Sequence, residues 1–157
     1  MAIPDFIVEL REHVGHAQLW LPGVTAVVRR AGEILLVRRA DNGEWTPVTG
    51  IIDPGEQPAV AAKREVLEET GVTVTVERLA WVNVSAPVVH ANGDRARYLD
   101  HCFSCRYVDG DARVADDESV DVGWFPVDDL PRMRPIFLDR IVCSLEAKPE
   151  TRFELTG

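Results

Sequence analysis

Apolar residues recur along the chain at two periods, and the change from one period to the other marks its elements. From Ile3 to Val14 the residues Ile3, Phe6, Ile7, Leu10 and Val14 form one stripe at helical spacing. Pro4 suits the first turn of that helix, and Gly15 suits its end. The stripe has to be covered, either by the sheet of its own domain, which is the preferred reading, or by a second subunit. Val24–Val28 and Ile34–Val37 are short, nearly continuous apolar runs around Ala31-Gly32. They predict a hairpin whose strands are buried on both faces. Asp41-Asn42-Gly43 is a loop, and Trp45 to Thr49 leads into an irregular segment, Ile51 to Gly55, with a turn at Pro54-Gly55.

A second helix is predicted over Pro58–Thr70, with proline at its start and Gly71 at its end. Ala59, Val60, Ala62, Val66 and Leu67 would form its apolar side. Val72, Val74 and Val76 alternate with Thr73, Thr75 and Glu77, the period of a half-buried strand, and Leu79 to Val84 extends it past a bend. Ser85 to Arg97 is polar and reads as a loop. Tyr98–Val108 and Val120–Phe125 are further strands, separated by the turn Asp109-Gly110-Asp111 and the acidic loop Asp116-Asp117-Glu118. Pro126 to Leu130 reads as a short helical turn. Pro135–Leu145 is the last helix, with Phe137, Ile141, Val142 and Leu145 inward, and the tail from about 149 to 157 reads as loose. Strands outnumber helices and alternate with them irregularly, which gives an α/β domain with a mixed sheet. At 157 residues, without repeats or a low-complexity linker, the chain suits one domain spanning 1–157.

Candidate chemistry concentrates on the second helix. A helix turns about 100° per residue, so Glu65, Glu68 and Glu69 fall within an arc of roughly 100°, opposite the apolar side. Three carboxylates on one face repel each other unless solvent screens them or a cation neutralises them. The cation that oxygen ligands favour is Mg²⁺, with Mn²⁺ as an alternative. The surrounding spacing supports the cation. Gly50 precedes Glu56 by six positions, Arg64-Glu65 follows eight later, and then come Glu68-Glu69 and Gly71.

This run resembles the box of the Nudix hydrolases: Gly50, Glu56, Arg64, Glu65, Val66, Glu68, Glu69, Gly71 and Val72 each stand where the family pattern requires them. The seven exact identities would arise by chance on the order of once in 10⁸ windows, so coincidence is not a serious rival. The resemblance implies an α/β/α sandwich with the box as loop, helix, loop. It implies hydrolysis of a diphosphate linkage in a nucleoside diphosphate derivative, with a mild preference for ADP-ribose-like compounds. Triphosphates or oxidised nucleotides are the alternative substrates, and a binding module without turnover is the alternative class. Glu65, Glu68 and Glu69 are then metal ligands. Glu56 ligates metal or orients a water, and Arg64 orients a glutamate through an ion pair. The general base is a box glutamate or Glu118, with Asp117 as substitute. Arg38, Arg39, Thr49 and Gly50 are candidate substrate contacts. Many family members carry Gly-Gly where this chain has Thr49-Gly50, which weakens any transfer of substrate identity.

Composition narrows the partners. The net charge is −9, which argues against a nucleic-acid polymer as partner, since phosphate-backbone binding needs a basic face. A small nucleotide remains compatible, because bound cations reverse the local field. Cys102, Cys105 and Cys143 are odd in number, and no signal peptide precedes them, so free thiols in the cytoplasm are expected. Cys102 and Cys105 sit three apart in a strand and would face opposite sides, which does not suit a zinc site. His13, His16, His90 and His101 lack ligand spacing, and no apolar run approaches the roughly 20 residues that span a membrane. A homodimer through the N-terminal stripe is consistent with this reading.

Overall fold

The computed structural model describes residues 3–157; Met1 and Ala2, the first two positions of the expected 1–157 domain, lie outside the described residues. In chain order the elements are α1 (Asp5–Val14), β1 (Leu19–Arg30), β2 (Glu33–Arg39), β3 (Trp45–Thr46), β4 (Val48–Ile51), α2 (Pro58–Thr70), β5 (Thr73–Val84), β6 (Val88–Val89), β7 (Arg95–Asp109), β8 (Ser119–Pro126), α3 (Pro135–Leu145) and β9 (Arg152–Phe153). Two long strands carry the sheet. β1 and β7 run parallel in one unbroken register from Leu19 opposite Ala96 to Arg29 opposite Arg106. β5 lies antiparallel on the far side of β7, and β9 adds to β5 in parallel at Trp81 and Val82. The other edge of β1 divides between two partners. β4 takes Gly23–Ala26, while β2 takes Arg29 and Arg30 and itself carries β3 and β8. The sheet is therefore mixed, and the division places β4, with the segment that follows it, beside the start of β1.

The two helices α2 and α3 cover opposite faces. Val24, Ala26, Val28, Leu35, Val37 and Val48 pack with Ala61, Ala62 and Val66 of α2. Val27, Ile34, Leu36, Trp81 and Cys102 pack with Phe137, Ile141 and Cys143 of α3. The continuous apolar runs thus feed both layers, as their lack of alternation predicts. Cys102 and Cys105 fall in different layers, and all three thiols are free and buried. Burial pushes the Cys102 and Cys105 thiols up to about 12, so neither forms a thiolate at neutral pH.

Proline and glycine punctuate α2 as the sequence predicts. Pro58 occupies the first turn, and Gly71 closes the helix at φ 70°, its N–H donating to the Leu67 carbonyl. Its inward face differs from the expected one. Val60 and Leu67 are more than half exposed, whereas Glu65 and Glu69 are buried at 6% and 4% exposure. Hydropathy alone assigns those carboxylates to solvent; here the bare Gly50 leaves room for Glu65 against β4, and Ser119 meets Glu69.

Five other expectations are corrected. Of the α1 stripe, Ile7 is buried and Phe6 half-buried against Leu21 and Ala96, while Ile3, Leu10 and Val14 are exposed. In α3, Val142 is exposed and Arg140 takes the inward position: its Nη1 donates to Thr25 Oγ1 at 3.0 Å, and its Nε lies 3.3 Å from Asp100 Oδ2. The polar Ser85–Arg97 segment contains β6 and the start of β7, and Pro126–Leu130 holds a turn without helix. The tail is pinned rather than loose. Thr151 Oγ1 donates to the Leu79 carbonyl at 2.8 Å, and the Arg152 guanidinium sits 4.2 Å over the Trp81 ring. Among the described residues no helix is long and apolar enough to cross a membrane.

Candidate active site

The site is assembled where β4 gives way to α2. Gly50 sits in β4 opposite Val24, and a Cβ placed there would fall inside the Glu65 carboxyl group. The absence of a side chain at Gly50 is what lets Glu65 lie against the strand. Glycine is therefore required for close approach and not for an unusual φ.

Arg64 organises the acids. Its Nε and Nη2 donate to the two oxygens of Glu56 at 2.9 Å each, a bidentate fork. Its Nη1 donates to Glu65 Oε1 at 2.9 Å and to Glu68 Oε2 at 3.1 Å, and Nη2 also donates to the Ile51 carbonyl at 3.1 Å. The guanidinium thus ties the loop carrying Glu56 to the helix carrying Glu65. The backbone N–H of Asp53 donates to Glu56 at 3.1 Å, so the loop closes on itself around that carboxylate. The fork holds the Glu56 carboxyl below its ordinary value, while Glu56 and Glu65 together raise Arg64.

Glu69 and Glu65 are in the opposite condition. Burial, reinforced by the Glu118 and Glu65 carboxylates, pushes Glu69 up to about 9. Burial pushes Glu65 up to about 7 even though Arg64 pulls it down, and burial with Asp116 pushes Glu118 to about 7. The hydrogen bond found on Glu69 is weak: Ser119 Oγ donates to Oε2 at 3.3 Å. Three carboxylates thus sense each other's charge in a partly dehydrated place, with little cationic compensation at Glu69.

The sequence candidates separate as follows. Glu65, Glu68, Arg64 and Glu118 line one cleft of about 470 Å³, together with Ile51, Asp53 and the first turn of α1. Glu118 therefore reaches the box from the other side of the sheet edge, where its carbonyl accepts from the Ala40 N–H at 2.8 Å. Arg39 lies close enough to Glu69 and Glu118 to be raised by both, while its fork is held by Asp41 at 2.9 and 2.7 Å. Arg38 turns away, is exposed, and donates to the Gly43 carbonyl at 3.0 Å. Thr49 pairs with Thr25 in β4 and is half-buried. Ser119, Asp116 and the α1 turn were not foreseen. Ser119 directly follows Glu118, so its part was within reach of the sequence; the α1 turn carried no signal, because only the fold brings it to the box.

The donor set is chemically that of a hard divalent cation: carboxylate oxygens without sulfur or imidazole. Among the described residues no three such side chains already converge as a closed cage. Arg64 draws one oxygen each of Glu65 and Glu68 toward itself, so a cation would be met by an arranged but open group of acids.

A mixed sheet between two helices thus carries an arginine-braced acidic helix at one cleft. The NUDIX domain family matches residues 19–144, and the chain belongs to that family. It is a Nudix-type pyrophosphohydrolase, a class that generally uses divalent cations. A MutT-like protein of Streptomyces ambofaciens is 34% identical over 128 residues, covering 80% of this chain and 77% of that one. An NAD-capped RNA hydrolase, NudC, of Chromobacterium violaceum is 35% identical over 112 residues, covering 70% of this chain; the match spans 39% of that longer protein. The crystal structure of an ADP-ribose pyrophosphatase from Streptococcus suis superposes with a TM-score of 0.65 at 23% identity, covering 85% of this chain and 98% of that one, which shows the shared fold.

Proposed function

We propose that the protein hydrolyses the diphosphate linkage of a nucleoside diphosphate derivative, with ADP-ribose-like compounds as the preferred class and Mg²⁺ as the cation. The observation that carries this reading is the single cleft shared by Arg64, Glu65, Glu68 and Glu118. Its volume of about 470 Å³ suits a small ligand. The similarity to an NAD-capped RNA hydrolase favours a dinucleotide-like diphosphate over a triphosphate, since an NAD cap contains such a linkage. With a net charge of −9, a free nucleotide fits better than an RNA chain.

Glu65, Glu68 and Glu69 would hold the cation, and Glu118 would share in it or take the proton from the attacking water. When bound, the cation neutralises phosphate oxygens and lowers the pKa of a coordinated water. The protein's own residues do the rest. Arg64 fixes the angle of Glu65 and keeps the Glu56 loop against the helix. Glu56, both of whose oxygens are engaged by that arginine, positions it. Arg39, whose guanidinium feels the charges of Glu69 and Glu118, would meet a phosphate once Asp41 yields it.

The test is a substrate panel. Purified protein with Mg²⁺ or Mn²⁺ is given ADP-ribose, NAD, other diphosphate conjugates and nucleoside triphosphates, and the products are separated. We expect a nucleoside monophosphate from ADP-ribose or a close analogue. Glu118→Gln should lower kcat roughly 10²- to 10⁴-fold while leaving KM within a few fold. A preference for triphosphates would displace the substrate reading, and no turnover across the panel would remove the hydrolase reading.

A further inference from the structure

We propose that the first turn of α1 receives the non-phosphate half of the substrate, with Phe6 as the contact for a planar heterocycle; this rests on the nucleotide-hydrolase reading above. The cleft has two unlike walls. One carries Arg64, Glu65, Glu68 and Glu118; the other carries Ile3, Pro4, Asp5 and Phe6. A nucleotide has the same division, a charged diphosphate joined to a flat, largely apolar base. The first turn of α1 presents the carboxylate of Asp5 and no cationic side chain, so it offers a phosphate no ion pair. What this turn offers is apolar surface: Ile3 is 45% exposed, and Phe6 is half-buried beside Ile51, at the mouth of the box.

Two further observations bear on α1. The family match begins at Leu19, so α1 lies wholly outside it. Yet α1 is latched in place. Ile7 anchors it against Leu21 and Ala96. Arg11 Nη1 donates to the carbonyls of Gly15 and Ala17 at 2.9 and 2.5 Å, Nη2 donates to the Arg95 carbonyl at 2.8 Å, and Nε lies 3.4 Å from Asp94 Oδ1. A helix fixed at its far end to the approaches of β1 and β7 holds its first turn as a stationary wall. The base of the nucleotide then meets a preformed surface beside the acidic wall of the cleft.

The experiment compares wild type with Phe6→Ala, Phe6→Leu and Phe6→Trp. KM and kcat are read on ADP-ribose and on a diphosphate conjugate that lacks a heterocycle, and Kd is read for ADP with Ca²⁺ in place of Mg²⁺. Stacking of a base on an aromatic ring makes the expected change roughly tenfold or more. KM and Kd should rise by that factor in Phe6→Ala with kcat within about threefold, the base-free substrate should be indifferent, and Phe6→Trp should restore binding. Phe6→Leu keeps the packing on Leu21 but loses the flat face, so it repeats the result if Phe6→Ala melts early. A folded Phe6 variant with unchanged KM and Kd, in an active enzyme, overturns this inference alone, as does an equal effect on the base-free substrate. A wild type that neither cleaves nor binds any nucleotide overturns this inference together with the function it rests on.

Discussion

A methyl group at position 50 has nowhere to go except into the Glu65 carboxyl, and that single contact decides how the first box residue works. In Gly50→Ala, either Glu65 leaves the Arg64 hydrogen bond or β4 shifts away from α2. We expect a stability loss of about 1–3 kcal/mol, as for overpacking elsewhere, and a larger fractional loss of activity. Thermal melting read beside kcat/KM checks it; an active, fully stable Gly50→Ala variant would mean that Glu65 is free to move. Glu69→Gln asks a different question of the same helix. The amide keeps the shape and removes a buried carboxylate that burial already disfavours. The fold should therefore be as stable as wild type in a chelator at pH 8, or more so. Turnover should fall by about a thousandfold, because a cation ligand supplies several kcal/mol to the transition state at 1.36 kcal/mol per tenfold. Near-wild-type turnover would dismiss the metal-ligand role for Glu69.

Among the elements, α3 carries the clearest buried charge. Arg140 is 6% exposed and sits between Thr25 and Asp100, which is 4% exposed and pushed upward by burial. Arg140→Met keeps the length and leaves Asp100 without its cation, so a loss of about 3–5 kcal/mol is expected in denaturant titration. Replacing Asp100 by Asn in that background should recover part of it; no recovery would mean that the arginine acts through packing on Phe137 instead. This element also shows what a sequence can and cannot say. The strands of the hairpin and the limits of α2 were legible because apolar runs, Pro58 and Gly71 act locally. Arg140 and Val142 were exchanged in the expectation, as were Glu65 and Glu69 with Val60 and Leu67, because hydropathy ranks a side chain without knowing its partner. Arg140, Glu65 and Glu69 are inward because the fold brings Asp100 to the first, leaves the bare Gly50 beneath the second and sets Ser119 against the third. β9 was invisible for another reason: two residues show no period, and Arg152 is held by a tryptophan 71 positions away.

For the whole molecule, an excess of nine negative charges makes the cleft a place where protons and cations compete. Glu69 goes from an ordinary value of 4.5 to about 9 on folding, and Glu65 and Glu118 rise from 4.5 to about 7. A group raised on folding favours the native state while it is protonated. Its contribution is fully present below pH 4.5 and is lost as the pH climbs through the folded value. In a chelator, Tm should accordingly fall between about pH 5 and 9. Carboxyls held low by arginines, such as Glu56 and Glu77, act in the reverse sense only at more acid pH, outside that window. A divalent cation replaces the protons it displaces. Its stabilisation should therefore grow with pH, flattening the Tm curve in Mg²⁺, with each kcal/mol appearing as roughly 2–4 °C. Glu69→Gln should remove the largest part of the chelator slope while leaving Glu65 and Glu118 to titrate. A chelator Tm that rises across the same window would show the box acids to be well solvated and already ionised, and the proposal of a cation site on this helix would lose its energetic basis.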